Sequence, residues 1–471
     1  MSSESGSVLV RSPKTHVVLL PSAGMGHLTP FLRLAALLAQ NHHCQLTLIT
    51  THPTVSLAES SLISRFLSAF PQVTQIDFHL LPLDPTTVNS NDPFWLRFEA
   101  IRRSAHLLSP LLSSLSPPPS ALVYDVSLIS PVLTAIEALG FRLPAYIFFT
   151  SSARMLALFA YYHVVATTTA LQFVDDVLEI PRINPAIPIS SIPPLLLIPN
   201  SLFANIFIED GPKLPHFNGV LINSFQGIET EAVEGKVVGA LPPLFAVGPL
   251  VPCEFEKIDD QGEQLLKWLD DQAQGSVVYV SFGSRTALSR DQITEVGDGL
   301  VKCGFRFLWV VKEKLVDREE QEGSLEIMEK TKGKGLVVKH WVDQGEILSH
   351  KAVGGFLSHC GWNSVVEAAW HGVRILAWPQ HGDQKINAEV VERSGLGIWA
   401  KTWAWTGDDP AVVVNGEEIA AKIKELMQSE MLRVKAMKIG QEAKRVASVG
   451  GCREKILKGL VQEWSKNRMD A

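Results

Sequence analysis

The stretch from Trp341 to Gln384 combines side chains and a local pattern that suit a phosphorylated ligand. A short apolar segment typical of a buried strand ends at His359, the turn Cys360-Gly361-Trp362 follows, and a helix is predicted to begin at Asn363-Ser364. The first N–H groups of a helix lack partners within the helix and carry the positive end of its dipole. This helix start therefore predicts a pyrophosphate site, to which the side chains of His359, Asn363 and Ser364 would add donors.

The same stretch carries side chains for the other parts of a nucleotide sugar. Glu367 lies one helical turn after Asn363, where its carboxylate could accept hydrogen bonds from ribose hydroxyls. The flat indole of Trp341 could stack on uracil, and Asp383 and Gln384 follow another strand, where they could bind vicinal hydroxyls of a hexose. Each residue alone is more common in core packing or in a helix cap. Their combination at these spacings indicates a nucleotide-sugar site.

A second group of residues, near the N-terminus, could supply acid–base chemistry. His27 follows the first predicted strand, in SAGMGHLTP, and Gly24 and Gly26 would let the backbone approach a ligand closely. Asp125 lies near the end of the fourth predicted strand, in LVYDV. Parallel strands present their carboxyl ends at one edge of a sheet, so Asp125 could orient His27 as a general base. The alternative for Asp125 is a helix cap or a surface acid.

The elements that would position these residues alternate along the chain. Short apolar runs rich in β-formers alternate with segments of helical periodicity, which predicts an α/β protein with two Rossmann-like doubly wound domains facing each other across a cleft. The predicted strands are 16–22, 45–50, 76–81, 122–126, 146–150 and 219–224 in the first series, and 277–284, 305–311, 336–341, 353–359 and 375–378 in the second. Helices are predicted at 31–40 and 94–115, among others.

The alternation of predicted strands and helices also predicts the domain boundaries. Residues 1–250 and 264–451 form the two predicted domains, with a linker at 251–263 in an acidic passage. Residues 452–471 end the chain with a charged helix that we expect to pack back on the first domain. The proline-rich stretch at 181–215 is predicted to be irregular, as a functional loop or a cover over the cleft.

Composition limits the classes of function. The chain has 471 residues, of which 46% are hydrophobic and 19% charged, and its net charge of -7 offers no basic surface for nucleic acid. Its five cysteines show neither a disulfide framework nor zinc-ligand spacing, and no DxD motif argues for a metal site. Residues 1–15 are polar and no long apolar run occurs, so we predict a cytoplasmic protein without membrane insertion. Nothing in the sequence requires more than a monomer.

Three motifs carry a resemblance to a known family. The 44 residues from Trp341 to Gln384, with HCGWNS intact at 359–364, closely resemble the donor signature of plant family 1 UDP-glycosyltransferases. GMGH near the N-terminus and VSFGS at 280–284 extend the resemblance over essentially the whole chain. The resemblance implies a GT-B fold with an acceptor-binding first domain and a UDP-sugar-binding second domain. It also implies inverting transfer, with UDP-glucose as a co-substrate and no metal or other cofactor.

The family pattern assigns roles to individual residues. Trp341 corresponds to uracil stacking, and Val342 to a uracil contact through its backbone, although the family often has Ala-Pro where this chain has Val342-Asp343. The resemblance places the other donor residues on the uracil or ribose (Gln344), the ribose (Glu367), the phosphates (Ser284, His359, Asn363, Ser364) and the sugar (Trp362, Asp383, Gln384), and it adds Gly361 as a donor-site residue. It also implies that His27 and Asp125 form a catalytic dyad.

The acceptor side resembles one branch of this family. Asp92-Pro93-Phe94, SAGMGHLTPFLRLA and FFTSSARML resemble plant C-glucosyltransferases that act on 2-hydroxyflavanones, dihydrochalcones such as phloretin, and acylphloroglucinols. The residues expected to contact such a small phenolic acceptor are Gly26, Asp92, Phe94, Thr150 and Ser151. By itself, an Asp-Pro pair is equally a helix start.

Three alternatives remain open at the level of the sequence. The first is a flavonoid O-glucosyltransferase, because the donor site is common to C- and O-transfer. The second is a Rossmann dehydrogenase, which the absence of a GxGxxG motif followed by a ribose-binding carboxylate argues against. The third is a non-catalytic UDP-sugar-binding protein, which the presence of both His27 and Asp125 disfavours.

Overall fold

The computed structural model describes residues 15–88, 93–167, 177–180, 186–198, 200–230, 241–257, 262–286, 288–311, 324–403 and 412–467. Among the helices in these ranges, none is both long enough and apolar enough to cross a membrane. In the same ranges, no three His, Cys, Asp or Glu side chains are grouped so that they could hold a metal ion.

The N-terminal half is built on a seven-stranded parallel sheet with the strand order β3-β2-β1-β4-β5-β8-β9. Its strands are β1 (His16–Leu20), β2 (Gln45–His52), β3 (Thr74–His79), β4 (Ala121–Asp125), β5 (Ala145–Phe149), β8 (Gly219–Ile222) and β9 (Leu244–Ala246), and the short strands β6 (Val177–Leu178) and β7 (Ile187–Pro188) pair separately. The helices are α1 (Met25–Asn41), α2 (Leu57–Ala69), α3 (Pro93–Ser104), α4 (Leu108–Ser113), α5 (Ile129–Glu137), α6 (Ala153–Thr167) and α7 (Leu202–Asp210).

The C-terminal half contains a six-stranded parallel sheet with the order β12-β11-β10-β13-β14-β15. Its strands are β10 (Val277–Ser281), β11 (Arg306–Val310), β12 (Leu336–Val338), β13 (Val353–Ser358), β14 (Arg374–Ala377) and β15 (Gly397–Trp399). Its helices are α8 (Gly262–Asp270), α9 (Arg290–Lys302), α10 (Ser324–Thr331), α11 (Gln344–Ser349), α12 (Trp362–His371), α13 (Gln384–Ser394), α14 (Gly416–Gln428) and α15 (Glu430–Ala447), followed by α16 (Cys452–Asn467).

Each sheet is covered by helices on both faces, which explains its continuous apolar strands. Along β1, Val18 and Leu20 pack into one hydrophobic cluster, whereas Val17 and Leu19 pack into another on the opposite face. In β10, Val277 and Tyr279 share one cluster and Val278 and Val280 the other. The strand order within each sheet is the doubly wound Rossmann order, so the predicted α/β architecture is confirmed.

Helix α16 follows the C-terminal half in sequence but packs on the N-terminal sheet. Leu457, Leu460 and Trp464 join the same hydrophobic cluster as Val17 and Leu19. The hydroxyl of Tyr146 donates to Glu463 Oε1 at 2.9 Å. The helix thus contacts the first half of the chain, while the predicted domain boundaries themselves stay a prediction.

The structure corrects three predicted elements. Helix α1 begins at Met25 rather than at residue 31 and runs through Pro30. The helix predicted at 94–115 is divided, and a 3₁₀ turn at Ala105–Leu107 separates α3 from α4. The cause is Pro110, which has no N–H to donate and whose ring clashes with the carbonyl of residue 106 in a continuous helix. The stretch at 181–215 contains helix α7, which Ser201 caps and which buries Ala204, Ile206 and Phe207.

Strand ends shift by up to a few residues from the predicted ones. The largest shifts are in β10, which ends at Ser281 rather than at residue 284, and in β12, which ends at Val338 rather than at Trp341. The short strands β6, β7, β9 and β15 were not predicted.

We expect that Trp464→Ala destabilises the protein by about 3–5 kcal/mol, the usual cost of removing a fully buried indole, because Trp464 is 0% exposed against the first sheet. Thermal unfolding of the wild type and of Lys458→Ala, an exposed change on the same helix, gives the comparison. Equal unfolding midpoints for Trp464→Ala and Lys458→Ala would contradict a stabilising role of α16.

Candidate active site

A cleft of about 820 Å³ lies between the two halves, where the carboxyl ends of both sheets meet. Of the predicted site residues that the structure describes, all but Asp125 line it: Gly26, His27, Phe94, Thr150, Ser151, Ser284, Trp341, Val342, Gln344, His359, Gly361, Trp362, Asn363, Ser364, Glu367, Asp383 and Gln384. Asp125 is fully buried behind His27. Asp92 lies outside the described residues.

His27 and Asp125 are in direct contact. His27 is the third residue of α1, and Asp125 is the last residue of β4, the strand adjacent to β1. The Nδ1 atom of His27 lies 2.8 Å from Asp125 Oδ2 and 3.2 Å from the Thr150 hydroxyl. Because Nδ1 donates to a carboxylate, the neutral ring carries its lone pair on Nε2. This is the arrangement of a histidine base with an orienting aspartate.

Charges around His27 determine its protonation. Burial acts to lower the pKa of His27, but the charge and hydrogen bond of Asp125 outweigh it, and the pKa is raised above its ordinary value. Asp383, across the cleft, acts in the same direction, whereas the positive charge of Arg285 acts against it. The imidazole therefore lies near two carboxylates and one guanidinium, and the net effect of burial and these charges favours its protonated form.

The backbone before His27 is held by a residue that sequence reasoning did not single out. Gly24 has φ 95°, a left-handed value that favours glycine, and the ring of Phe94 packs against it at a distance that leaves no room for a Cβ. The buried carboxylate of Glu59, in α2, accepts from the Gly24 N–H at 2.7 Å and from the Val55 N–H at 3.0 Å. Glu59 thus ties α2 to the loop that begins α1.

The acceptor side of the cleft is largely apolar. The aromatic residues that line it are Phe94, Trp95, Phe98, Phe149, Phe159, Phe203 and Phe207. Arg285, from the C-terminal half, lies over the Phe94 ring with its guanidinium carbon 3.8 Å from the ring centroid, which is close enough for a cation–π contact. This wall suits a flat aromatic molecule next to a fixed positive charge.

The start of helix α12 faces the cleft, as expected for an anion site. The residue at the N-cap position is Gly361, which has no side chain to cap the helix. The His359 ring fills the space between Gly283 and Gly361, where a Cβ would come within 2.4 Å and 2.6 Å of its Nε2 atom, respectively. Both glycines are therefore needed for His359 to reach the helix start, beside Ser284.

Two residues at this helix start bond to the other half of the chain. The Trp362 Nε1 atom donates to the carbonyl of Asn223 at 2.8 Å, and the indole is buried. The Asn363 Nδ2 atom donates to the carbonyl of Gly26 at 3.3 Å. In α1, the N–H that would bond to that carbonyl belongs to position 30, which is a proline and has none. Pro30 thus leaves the Gly26 carbonyl available to the donor half.

The carboxylate of Glu367 is held from two sides. Its Oε2 atom accepts from Gln344 Nε2 at 2.7 Å, and Gln344 also bonds to the Ser364 hydroxyl at 3.1 Å. Its Oε1 atom accepts from Arg33 Nη2 at 2.6 Å. Arg33 was not predicted as a site residue, although one signal was present: it is the single charged residue in the apolar run TPFLRLAALLA.

The last two predicted donor residues stabilise the loop before α13. The Asp383 carboxylate accepts from the Ser151 hydroxyl and, at 2.8 Å, from Asn387 Nδ2. The Gln384 Oε1 atom accepts from the N–H groups of Gln380 and His381, at 2.8 and 3.0 Å. The structure therefore places Asp383 where both halves meet and shows Gln384 bracing its own loop.

The predicted base-stacking residue is accessible. Trp341 is 45% exposed at the edge of the cleft, whereas the neighbouring Val342 is buried. An exposed indole on the wall of the cleft suits stacking on a planar ring.

The chain is similar to known proteins over nearly its whole length. A family model described as "UDP-glucoronosyl and UDP-glucosyl transferase" matches residues 251–440. The chain is 56% identical to UDP-glycosyltransferase 708G2 of Citrus unshiu, over 96% of this chain and 97% of that one. It is 47% identical to UDP-glycosyltransferase CGT of Oryza sativa subsp. indica, over 96% of each chain. The crystal structure of LpCGTa in complex with UDP matches with a TM-score of 0.82 and 45% identity, over 96% of this chain and 99% of that one.

We expect that Asp125→Asn lowers the pKa of His27, because it removes the carboxylate that raises this pKa while burial and the Arg285 charge, which lower it, remain. An NMR titration of the imidazole resonances of the wild type and the variant measures the change. Thr150→Val, which removes a neutral contact to the same nitrogen, should change the pKa less. An Asp125→Asn protein with an unchanged His27 pKa would contradict the electrostatic role of Asp125.

Proposed function

The chain belongs to the UDP-glycosyltransferase family and is itself a UDP-glycosyltransferase, and on that premise we propose that it transfers glucose from UDP-glucose to an aromatic carbon of a small polyphenol. Its two Rossmann-like halves form the GT-B fold, as in the similar UDP-bound structure. Because the family is one of enzymes, the non-catalytic alternative is set aside.

One observation carries the proposal: the His27–Asp125 pair and the donor residues open into the same cleft from opposite halves of the chain. An acceptor bound against the aromatic wall would have its phenol beside His27 Nε2. A UDP-sugar bound along α11 and α12 would direct its sugar towards the same point, near Asp383. A base and a leaving group on opposite sides of the reacting carbon are what inverting transfer requires.

On the donor side, the residues bind and hold UDP as charge develops on it. Trp341 stacks on the uracil, Glu367 and Gln344 bind the ribose, and the α12 start with His359 and Ser284 holds the diphosphate. Each of these groups is fixed before the reaction, so that the leaving phosphate gains stabilisation without reorganising the site. We expect no metal ion to be needed.

On the acceptor side, the reaction begins with the phenolic proton. His27 Nε2 takes this proton, and the electron-rich ring carbon ortho to the phenolate attacks the anomeric carbon as its bond to UDP breaks. The ring carbon then loses its proton to solvent while the imidazolium of His27 returns its proton to the phenolic oxygen, which restores aromaticity and leaves a β-C-glucoside from an α-linked donor, UDP and one released proton. The positive charge of Arg285 beside Phe94 would stabilise the phenolate.

Transfer to carbon rather than to oxygen is supported by the relatives. Two of the similar proteins have names that contain CGT, the abbreviation of C-glycosyltransferase. A 2-hydroxyflavanone, a dihydrochalcone such as phloretin, or an acylphloroglucinol fits this chemistry, because its hydroxyl groups activate the ring carbons between them. A cytoplasmic monomer that takes part in flavonoid biosynthesis is the setting we propose.

Incubation with UDP-glucose and phloretin should give a product in which glucose is attached through carbon. NMR should show a carbon–carbon linkage with β configuration, and the product should survive heating in acid, which cleaves O-glucosides. An acid-labile product linked through oxygen would favour the flavonoid O-glucosyltransferase. The same reaction with EDTA should proceed at an unchanged rate.

His27→Ala should retain UDP binding, because the donor residues lie in the other half, and should lose turnover by about 10²- to 10⁴-fold, the usual contribution of a general base. The loss should become smaller for acceptors of lower pKa, since a phenol already ionised needs no base. The matched control is His79→Ala, an exposed histidine outside the cleft lining. Equal losses across a series of acceptors, with chemistry rate-limiting, would mean that His27 only positions the acceptor.

A further inference from the structure

Arg33 connects three separate parts of the chain inside the protein. It lies in α1 of the N-terminal half and is 3% exposed. Its Nε and Nη2 atoms donate to the two carboxylate oxygens of Glu256, each at 2.8 Å. Nη2 also donates to Glu367 Oε1 at 2.6 Å, and Nη1 donates to the Leu250 carbonyl at 3.3 Å. One guanidinium thus joins α1, the segment between the two halves, and the donor helix α12.

The planar guanidinium suits this position better than any other side chain. Its fork of N–H groups holds Glu256 in a two-point contact and still has an N–H for Glu367. Glu256 is itself fixed, because its Oε1 atom accepts from the Cys253 N–H at 2.9 Å. A lysine carries the same charge on a single nitrogen and could not hold both carboxylates in one plane.

Without Arg33, the buried Glu367 carboxylate would keep one hydrogen-bond donor among the residues that the structure describes, the neutral amide of Gln344. Burial raises the pKa of Glu367, and the charge of Arg33 and the Gln344 hydrogen bond act against that rise. Truncating one partner of such a pair leaves the other charge uncompensated, which is costly in a protein interior. The ionised form and the orientation of the Glu367 carboxylate therefore depend on a residue from the other half of the chain.

We propose that Arg33 is a positioning residue of the donor site, which holds the Glu367 carboxylate in place to accept hydrogen bonds from the ribose hydroxyls of UDP. The inference rests on the proposed function, because it assumes that Glu367 binds the ribose. It adds that ribose recognition is not a property of the C-terminal half alone. Docking of α1 on α12 completes the site, and Arg33 is the side chain of α1 that bonds to Glu367.

The experiment compares two nucleotides that differ only at the ribose, UDP and 2′,3′-dideoxy-UDP. Binding is measured by calorimetry for the wild type, Arg33→Met, Arg33→Lys and Arg154→Met. Arg154 is the matched control: it is also a buried arginine that reaches across the two halves, where its Nε donates to Glu389 Oε2 at 2.6 Å, but it does not contact Glu367 or line the cleft.

The wild type should bind UDP at least about 10-fold more tightly than the dideoxy nucleotide, the discrimination expected of hydrogen bonds to a charged acceptor. In Arg33→Met the ratio of the affinity for UDP to that for the dideoxy nucleotide should fall to about threefold or less, and in Arg33→Lys to an intermediate value. A misplaced or neutral Glu367 carboxyl forms weaker hydrogen bonds with the ribose hydroxyls. In Arg154→Met both nucleotides should weaken equally, which leaves the ratio at its wild-type value.

If Arg33→Met binds both nucleotides more weakly but keeps the affinity ratio of the wild type, Arg33 serves only in docking of the two halves, and the proposal is overturned. If Arg33→Met does not fold, Arg33→Lys decides in the same way, since an unchanged ratio there overturns the proposal. A ratio lowered equally by Arg154→Met would also overturn it. A wild-type protein that binds neither nucleotide would instead contradict the proposed function, and the inference with it.

Discussion

The whole site depends on polar contacts between the two halves of the chain, because the proposed base, His27, and the predicted donor residues lie at the ends of different sheets. Arg33 with Glu367 and Arg154 with Glu389 are buried ion pairs that cross between the halves, both with N–O distances of 2.6 Å. Buried ion pairs add little net stability compared with apolar packing, but loss of one partner leaves the other charge uncompensated in the interior. These pairs therefore disfavour other arrangements of the two halves, and they act together with apolar contacts such as the packing of Ile386 into the core cluster of the N-terminal half.

Local sequence features in one short segment then place the base. Gly24, with its positive φ, lets the chain turn directly from β1 into α1. The carboxylate of Glu59 fixes that turn by accepting a hydrogen bond from the Gly24 N–H. His27 consequently emerges in the first turn of α1, above the end of β4. Pro30, five residues after Met25, weakens the helix at the point where the Gly26 carbonyl is needed by Asn363. Pro30 would weaken an isolated helix, but here the hydrogen bond that it leaves unformed makes the Gly26 carbonyl available for a contact between the halves.

The sequence predicted those parts of the site that follow from parallel sheets. The carboxyl ends of β1 and β4 had to lie at one edge, so the contact of His27 with Asp125 could be expected. The start of α12 lines the cleft, while its role as an anion site stays a prediction. Arg33 could not be paired with Glu367 in this way, since they are 334 residues apart and their meeting depends on how the two halves dock. Helix α7 was missed because prolines dominate its surroundings, while Asp92 stays a prediction.

The charged groups of the cleft lie in two places, with carboxylates around His27 and a guanidinium beside Phe94. This separation suits a proton transfer that leaves a cation at one place and an anion at the other. Asp125 and Asp383 both favour a positive charge on His27, and Arg285 lies on the acceptor wall beside Phe94. In the proposed reaction, transfer of a phenolic proton to His27 would create a cation between two carboxylates and an anion beside a guanidinium, each in an environment that already stabilises it. Asp125 and Asp383 are held by hydrogen bonds, and Arg285 lies against the Phe94 ring, before any substrate binds, so these groups would need little reorganisation during the proposed transfer. In the proposed reaction, this arrangement would favour the phenolate, whose negative charge is shared with the ortho carbon that attacks the sugar.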